Sequence, residues 1–239
     1  MVAFDDFDAL FVAVGRERLG KSTFMSRELE FCAAGLAHYI GGRPSDYFKP
    51  SDACLTVAQF VRAISDGKGR ACKMLDEAGI GAYARESASG SNIDLNKELM
   101  TCGNKNNIMG LCIPDFFALD SFVRFHRALC VFGVYGVLGV KDGRITVERG
   151  YANVWPANLI PRIRQDPTTR RTKFPQTPYV GLGFRGYGDK EPRWAAYKER
   201  MNAQKNDFGR ALADKLESKA TKVKADARKN KKKSKIVLG

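Results

Sequence analysis

The sequence predicts an α/β fold with a mostly parallel central sheet, helices on both of its faces, and a C-terminal extension of different texture. Three observations predict it. Short, wholly apolar runs alternate with helical patterns over residues 1–150, and strands apolar on both sides belong to sheets covered on both faces. The first apolar run passes into a glycine loop and a helix, "ALFVAVGRERLGKSTF" (9–24). Beyond Pro156 the alternation stops, and prolines, glycines and finally lysines take over.

Taken in order, "ALFVAVG" (9–15) reads as a buried strand, followed by a helix from Lys21 to about Ile40. Its apolar residues Phe24, Leu29, Phe31, Leu36 and Tyr39 are only roughly periodic, and "GGRP" ends it. "DACLT" (52–56) is expected as a short strand, and segment 52–66 as the source of an extra strand between the two motifs described below. Thr56 and Gln59 form a capping box for a helix carrying Phe60, Val61 and Ile64. "ACKMLDEAG" (71–79) is a strand running into two acids, with Lys73 marking an edge position or poor burial. A helix over 91–102, a strand over 107–114 stopped by proline, and a short helix over 118–128 follow. "LCVFGVYGVLGV" and "GRITVERGYANVW" read as a hairpin around "KDGR". The expected organisation is a globular domain over 1–155, an irregular Pro/Gly-rich extension over 156–192, and a polar helix with a basic tail over 193–239. The tail cannot bury a core and is expected to be disordered without a partner.

The chain has 239 residues, 44% of them hydrophobic, and a formal net charge of +14. That is enough apolar content for a core, and the surplus charge favours a polyanionic partner. Six cysteines, at 32, 54, 72, 102, 112 and 130, show neither C-x-x-C spacing nor zinc-site company from His38 or His126. They read as reduced core residues. The acidic start "MVAFDDFDAL" lacks the basic region of a secretory leader, and the longest apolar run, 128–140, is too short and glycine-rich to span a bilayer. These observations lead to the expectation of a soluble, cytoplasmic protein.

Gly15-x-x-x-x-Gly20-Lys21-Ser22 matches the phosphate-loop pattern without a gap. Glycines let consecutive backbone N–H groups turn inward, and a helix beginning at the lysine adds its positive end. The predicted nucleotide contacts are Gly15, Arg16, Glu17, Arg18, Leu19, Gly20, Lys21, Ser22 and Thr23. Lys21 reaches β and γ oxygens, and Ser22 offers its hydroxyl to Mg²⁺. About 55 residues later Asp76 is placed to hold the Mg²⁺ shell and Glu77 to accept a proton from attacking water. The predicted cofactors are ATP and Mg²⁺. The adjacent acids point to the branch of P-loop proteins that hydrolyse ATP with a dedicated base. There is no "NKxD" guanine motif and no arginine-rich lid, and Arg16 stands where a partition-type ATPase would carry a lysine.

With these motifs in place, "VAVGRERLGKSTF", "MLDEAGIGAYARESASGSNIDLNKEL" and "NNIMGLCIPDFFALDSFVR" together resemble RecA-like motor ATPases of the FtsK–HerA type. The likeness is greatest to small phage and archaeal-virus genome-packaging ATPases and zonula-occludens-toxin-like proteins, and covers about residues 9–135. The resemblance implies an ASCE-type P-loop NTPase fold and ATP-driven movement of double-stranded DNA by a homo-oligomeric ring, commonly of six subunits. Viral capsid or other assembly proteins are further candidate partners, and a membrane partner is not expected. Lys21 and Ser22 would bind phosphate and Mg²⁺, Asp76 the metal shell, and Glu77 would be the base. The sensor position has only Pro114 and Asp115 to offer, and a neighbour's arginine finger would be Arg85, Arg124 or Arg127.

Between residues 210 and 235 stand eleven Lys or Arg against three acids, the pattern of an arm that grips a phosphate backbone without reading sequence. "PTTRRTKFP" (167–175) adds a second basic cluster near Phe174, Tyr179, Phe184 and Tyr187, aromatics expected to pack onto the domain. Two rival functions remain open: a phage assembly or secretion ATPase whose tail touches anionic lipid, and a P-loop kinase.

Overall fold

A computed structural model describes residues 8–76, 97–141, 143–187, 191–192, 194–203, 206–207 and 210. The chain divides into two compact units, Met1–Tyr197 and Lys198–Gly239. In the second unit the described residues 198–203, 206, 207 and 210 are helical.

The first unit is built on a six-stranded sheet. Its strands are β1 (Ala9–Val14), β2 (Cys72–Leu75), β3 (Ile108–Ile113), β4 (Ala128–Lys141), β5 (Arg144–Pro156) and, after the two-residue strands β6 (Arg164–Gln165) and β7 (Thr172–Lys173), β8 (Tyr179–Gly183). The order is β2-β3-β1-β4-β5-β8, with β6 and β7 pairing apart from it. From β2 to β4 every pairing is parallel; β5 and β8 are added antiparallel.

Side chains of β1 alternate between two covered faces. Leu10, Val12 and Val14 join Met109, Leu111 and Ile113 of β3 and Leu75 of β2 in a core closed by Val57, Phe60 and Ile64 of α2 (Val57–Ser65). On the opposite face lies α1 (Lys21–Ile40). A Cβ at Gly110 of β3 would stand 2.5 Å from the sulfur of Met25, so the glycine lets the Met25 side chain pack directly on the strand. Phe24 of α1 meets Phe132 of β4 at 4.9 Å between ring centres.

The capping box of α2 forms as its sequence predicts: the Gln59 N–H donates to Thr56 Oγ1 at 3.2 Å, and the Thr56 N–H to Gln59 Oε1 at 3.4 Å. The face of α1 that its sequence leaves undefined is settled by packing: Phe24, Met25, Leu29, Ala33 and Leu36 are buried, whereas Phe31 and Tyr39 face solvent. One expectation is corrected. The strand lying between the loop strand β1 and the acidic strand β2 is β3, which comes from later in the chain, not from 52–66. Segment 52–66 contributes α2 and a single bridge, Cys54 to Leu75, on the outer side of β2. Lys73 thus lies near the sheet's rim, as its charge suggests.

The hairpin around "KDGR" forms, and its outer part outruns the sheet. β4 meets β1 only between Ala128 and Gly133, while its pairing with β5 continues from Gly136↔Arg149 to Lys141↔Arg144. Within the stretch 156–187, Ile160 and Ile163 enter the core and β8 extends the sheet beside β5. Among the described residues no helix is long and apolar enough to cross a membrane.

Candidate nucleotide site

β1, β2 and β3 run parallel; β1 and β3 end level, Val14 opposite Ile113, and β2 ends two residues short, Leu75 opposite Leu111. Clefts at such carboxyl ends are where α/β sheets present ligand-binding loops. Here the chain leaves Val14 into Gly15. A Cβ on Gly15 would lie 2.3 Å from the Val134 carbonyl oxygen, so the loop starts against the backbone of β4 with no room for a side chain. The loop ends at Gly20, whose φ of 95° is left-handed and favours glycine. Gly20 is also the N-cap of α1, with no side-chain cap and no acid in the first turn. The helix therefore directs uncapped N–H groups and the positive end of its dipole at the loop. Lys21 Nζ donates to the carbonyls of Gly15 (2.8 Å) and Arg16 (2.9 Å), folding across the loop from beneath. Arg16, Glu17 and Arg18 are exposed, Leu19 and Thr23 half-buried.

Ser22, one residue into α1, donates its hydroxyl to Asp76 Oδ1 at 2.7 Å, across 54 residues of sequence. Asp76 is held at the end of β2 by its own N–H, which donates to the Cys54 carbonyl at 2.7 Å. Its carboxylate is buried, at 3% exposure. The loop, the helix start and the acidic strand end thus meet at one point.

Asp76 Oδ2 accepts a second hydroxyl, that of Tyr197, at 2.7 Å. Burial first, and the Asp76 charge second, push the Tyr197 phenol well above its ordinary pKa, so it stays a neutral donor. Phe184 also lies at the site, 3.5 Å from where a Cβ of Gly20 would stand and 5.0 Å from the Phe24 ring. Sequence reasoning missed Tyr197. The one available signal was the i, i+3 spacing of Trp194 and Tyr197, which puts two aromatics on one helix face of an otherwise polar segment.

Glu77 and Arg85 lie outside the described residues. Arg124 does not project as a free finger. It sits in a π-helical turn, Val123–Arg127, with its guanidinium 4.5 Å from the Phe117 ring centre and 5.0 Å from that of Phe125. Desolvation there lowers its pKa. Arg127 is paired with Asp8 beside Cys102. Asp115 accepts from the Phe117 N–H and the Thr172 hydroxyl, and so caps a helical turn at the end of β3. None of the six cysteines is in a disulfide, and four of them are buried.

The parallel order, the glycine loop entering an uncapped helix and the serine–aspartate pair define the class as a P-loop α/β fold with one strand between loop strand and acidic strand. No protein-family model matches the chain, and no curated protein matches it significantly. Among solved structures it is similar to the genome packaging NTPase B204 from Sulfolobus turreted icosahedral virus 2 in complex with ATP-gammaS. That match has 14% identity and TM-score 0.41, and covers 74% of this chain and all of the other. It is also similar to the N-terminal domain of zonular occludens toxin from Neisseria meningitidis, with 12% identity, TM-score 0.42, and coverage of 71% of this chain and 94% of that one. These are the two kinds of protein the sequence resembles; the class itself rests on the geometry above.

Proposed function

We propose that the chain is a magnesium-dependent ATPase that assembles as a ring on DNA and moves or packages it, in a host cytoplasm or a virion. The observation that carries the reading is the 2.7 Å hydrogen bond from Ser22 to Asp76. A serine whose proton is given to a buried carboxylate keeps its lone pairs for a cation, and a single acid beside a phosphate loop suits Mg²⁺, which takes one or two protein oxygens with phosphate and water. Among the described residues no cluster of three His, Cys, Asp or Glu offers an alternative metal site.

The residues present fit both ATP and Mg²⁺. The amides of residues 15–22 and the open end of α1 would hold the phosphates, with Lys21 adding charge; Ser22 and Asp76 would hold the ion. Bound there, Mg²⁺ would neutralise charge on the β and γ oxygens. Glu77, directly after Asp76, takes the proton of the attacking water. In a ring a neighbouring subunit contributes an arginine, for which Arg85 is the candidate. The basic tail holds the DNA backbone without reading its sequence, and its grip weakens as salt rises.

The outer hairpin supports a second reading, an assembly or secretion ATPase that docks on lipid. Leu138 and Ile145 are 75% and 80% exposed, with Val140 similarly so, and Lys141 and Arg144 stand at the turn. ATP turnover measured alone, with duplex DNA and with anionic liposomes separates the two. DNA raises the rate if the first reading holds; stimulation by liposomes and not DNA replaces it with the second. Phosphate transfer to a small acceptor would instead make the protein a kinase.

A further inference from the structure

The second hydroxyl on Asp76 comes from a segment with no part in the phosphate-loop pattern. Tyr197 ends a run of stacked rings: Tyr187 lies on Trp194 at 4.3 Å between ring centres and 20° between planes, and Trp194 on Tyr197 at 4.4 Å and 16°. All three residues are buried. The stack is fastened to α1. Arg27 lies over the Tyr187 ring at 3.8 Å, the Tyr187 hydroxyl donates to Glu30 at 2.8 Å, and Arg27 pairs with Glu191 at 3.6 Å. Phe184 rests on Phe24 of the same helix. The phenol of Tyr197 therefore reaches Asp76 from a surface made rigid by aromatic packing.

A carboxylate held through one oxygen can still rotate about its terminal bond, which is broad and soft. A second donor on the other oxygen fixes its plane. We propose that Tyr197 is a positioning residue for the magnesium side of the site: its hydroxyl locks Asp76 with Oδ1 turned to Ser22, and so sets how much magnesium strengthens nucleotide binding. The proposal rests on the phosphate-loop reading above. Coupling is reciprocal, so magnesium with nucleotide must in turn tighten the docking of the stack.

The test is ATPγS binding to the full chain, in EDTA and in MgCl₂. Tyr197→Phe keeps the ring in the stack and removes only the hydroxyl. It leaves affinity in EDTA within about twofold of wild type, and reduces the gain from MgCl₂ by roughly tenfold, the scale of one hydrogen bond to a charged group. Tyr187→Phe loses a hydroxyl from the same stack but gives it to Glu30, and keeps the full gain. Independently of any variant, wild-type amide exchange at 184–187 and 194–197 slows with MgCl₂ plus ATPγS and not with ATPγS in EDTA. An unchanged magnesium gain in Tyr197→Phe, or exchange indifferent to magnesium, overturns the assignment while leaving the phosphate loop in place. Wild type that binds no ATPγS under either condition overturns both.

Discussion

The two oxygens of Asp76 are served by two very different regions. One hydroxyl comes from Ser22, in a loop complete within eight consecutive residues; the other comes from Tyr197, 121 positions from Asp76 in a segment without a pattern. The loop works through its backbone. Gly15 has no space for a side chain and Gly20 takes a left-handed φ, so geometry constrains the sequence at both ends of the loop. The aromatic stack works through burial, for which many sequences would serve. The difference teaches that the chemistry of a site can be written locally while its rigidity is supplied from far away.

The largest expected effect falls next to the loop's acidic partner. Glu77→Gln retains ATP binding and lowers turnover by roughly 100-fold or more, the contribution of a positioned general base; single-turnover kinetics with bound ATP checks it, and a normal rate removes Glu77 from its role. Next comes Gly15→Ala, whose methyl meets the Val134 carbonyl at 2.3 Å. Because a backbone atom must move, nucleotide binding falls by at least the order of tenfold, and the thermal midpoint drops as well. On the other side of the comparison, Trp194→Ala removes the middle ring of the stack and costs about 3 kcal/mol, the usual scale for a buried aromatic. Denaturant unfolding measures that loss. ATP affinity in EDTA, which depends on the loop alone, stays near wild type.

How much of this was legible follows the same division. β1, α1, α2, β3 and the β4–β5 hairpin were all readable, because apolar runs, a capping box and "KDGR" are local signals. The hydrogen bond from Ser22 to Asp76 joins one residue from each of the two sequence motifs. The intervening strand was assigned to the wrong segment, since 52–66 precedes the acidic motif in the chain; strand order in a parallel sheet is set by crossovers, which leave no local mark. The buried face of α1 stayed undefined because the helix carries apolar residues on more than one side, and only the sheet decides that Phe31 and Tyr39 stay exposed. Tyr197 left only its i, i+3 spacing from Trp194 as a signal, because no motif links that helix face to the end of β2. Arg124 read as a charge free to act in trans, yet aromatic neighbours at 116, 117 and 125 draw its guanidinium onto their rings.

Two smaller effects sharpen the contrast. Deleting residues 211–239 lowers affinity for duplex DNA at low salt and flattens its salt dependence, since fewer counterions are released; fluorescence anisotropy at several salt concentrations shows this. The least effect is expected from thiol reagents. Burial pushes the thiol of Cys102 up to about 12, with the Asp8 charge adding to it. The reactive thiolate is therefore scarce at pH 7 and grows only as pH rises toward that value, so alkylation of Cys102 in the folded protein is slow at neutral pH and quickens when the chain is unfolded.

The central claim is that residues 15–22 enclose a triphosphate. Equilibrium binding of ATPγS in MgCl₂ to the wild-type chain and to Lys21→Ala tests it most directly. Wild type binds saturably, and the variant loses affinity by at least two orders of magnitude, roughly the worth of a charge-assisted contact to phosphate. Equal binding by the two proteins, or none by wild type, would contradict it.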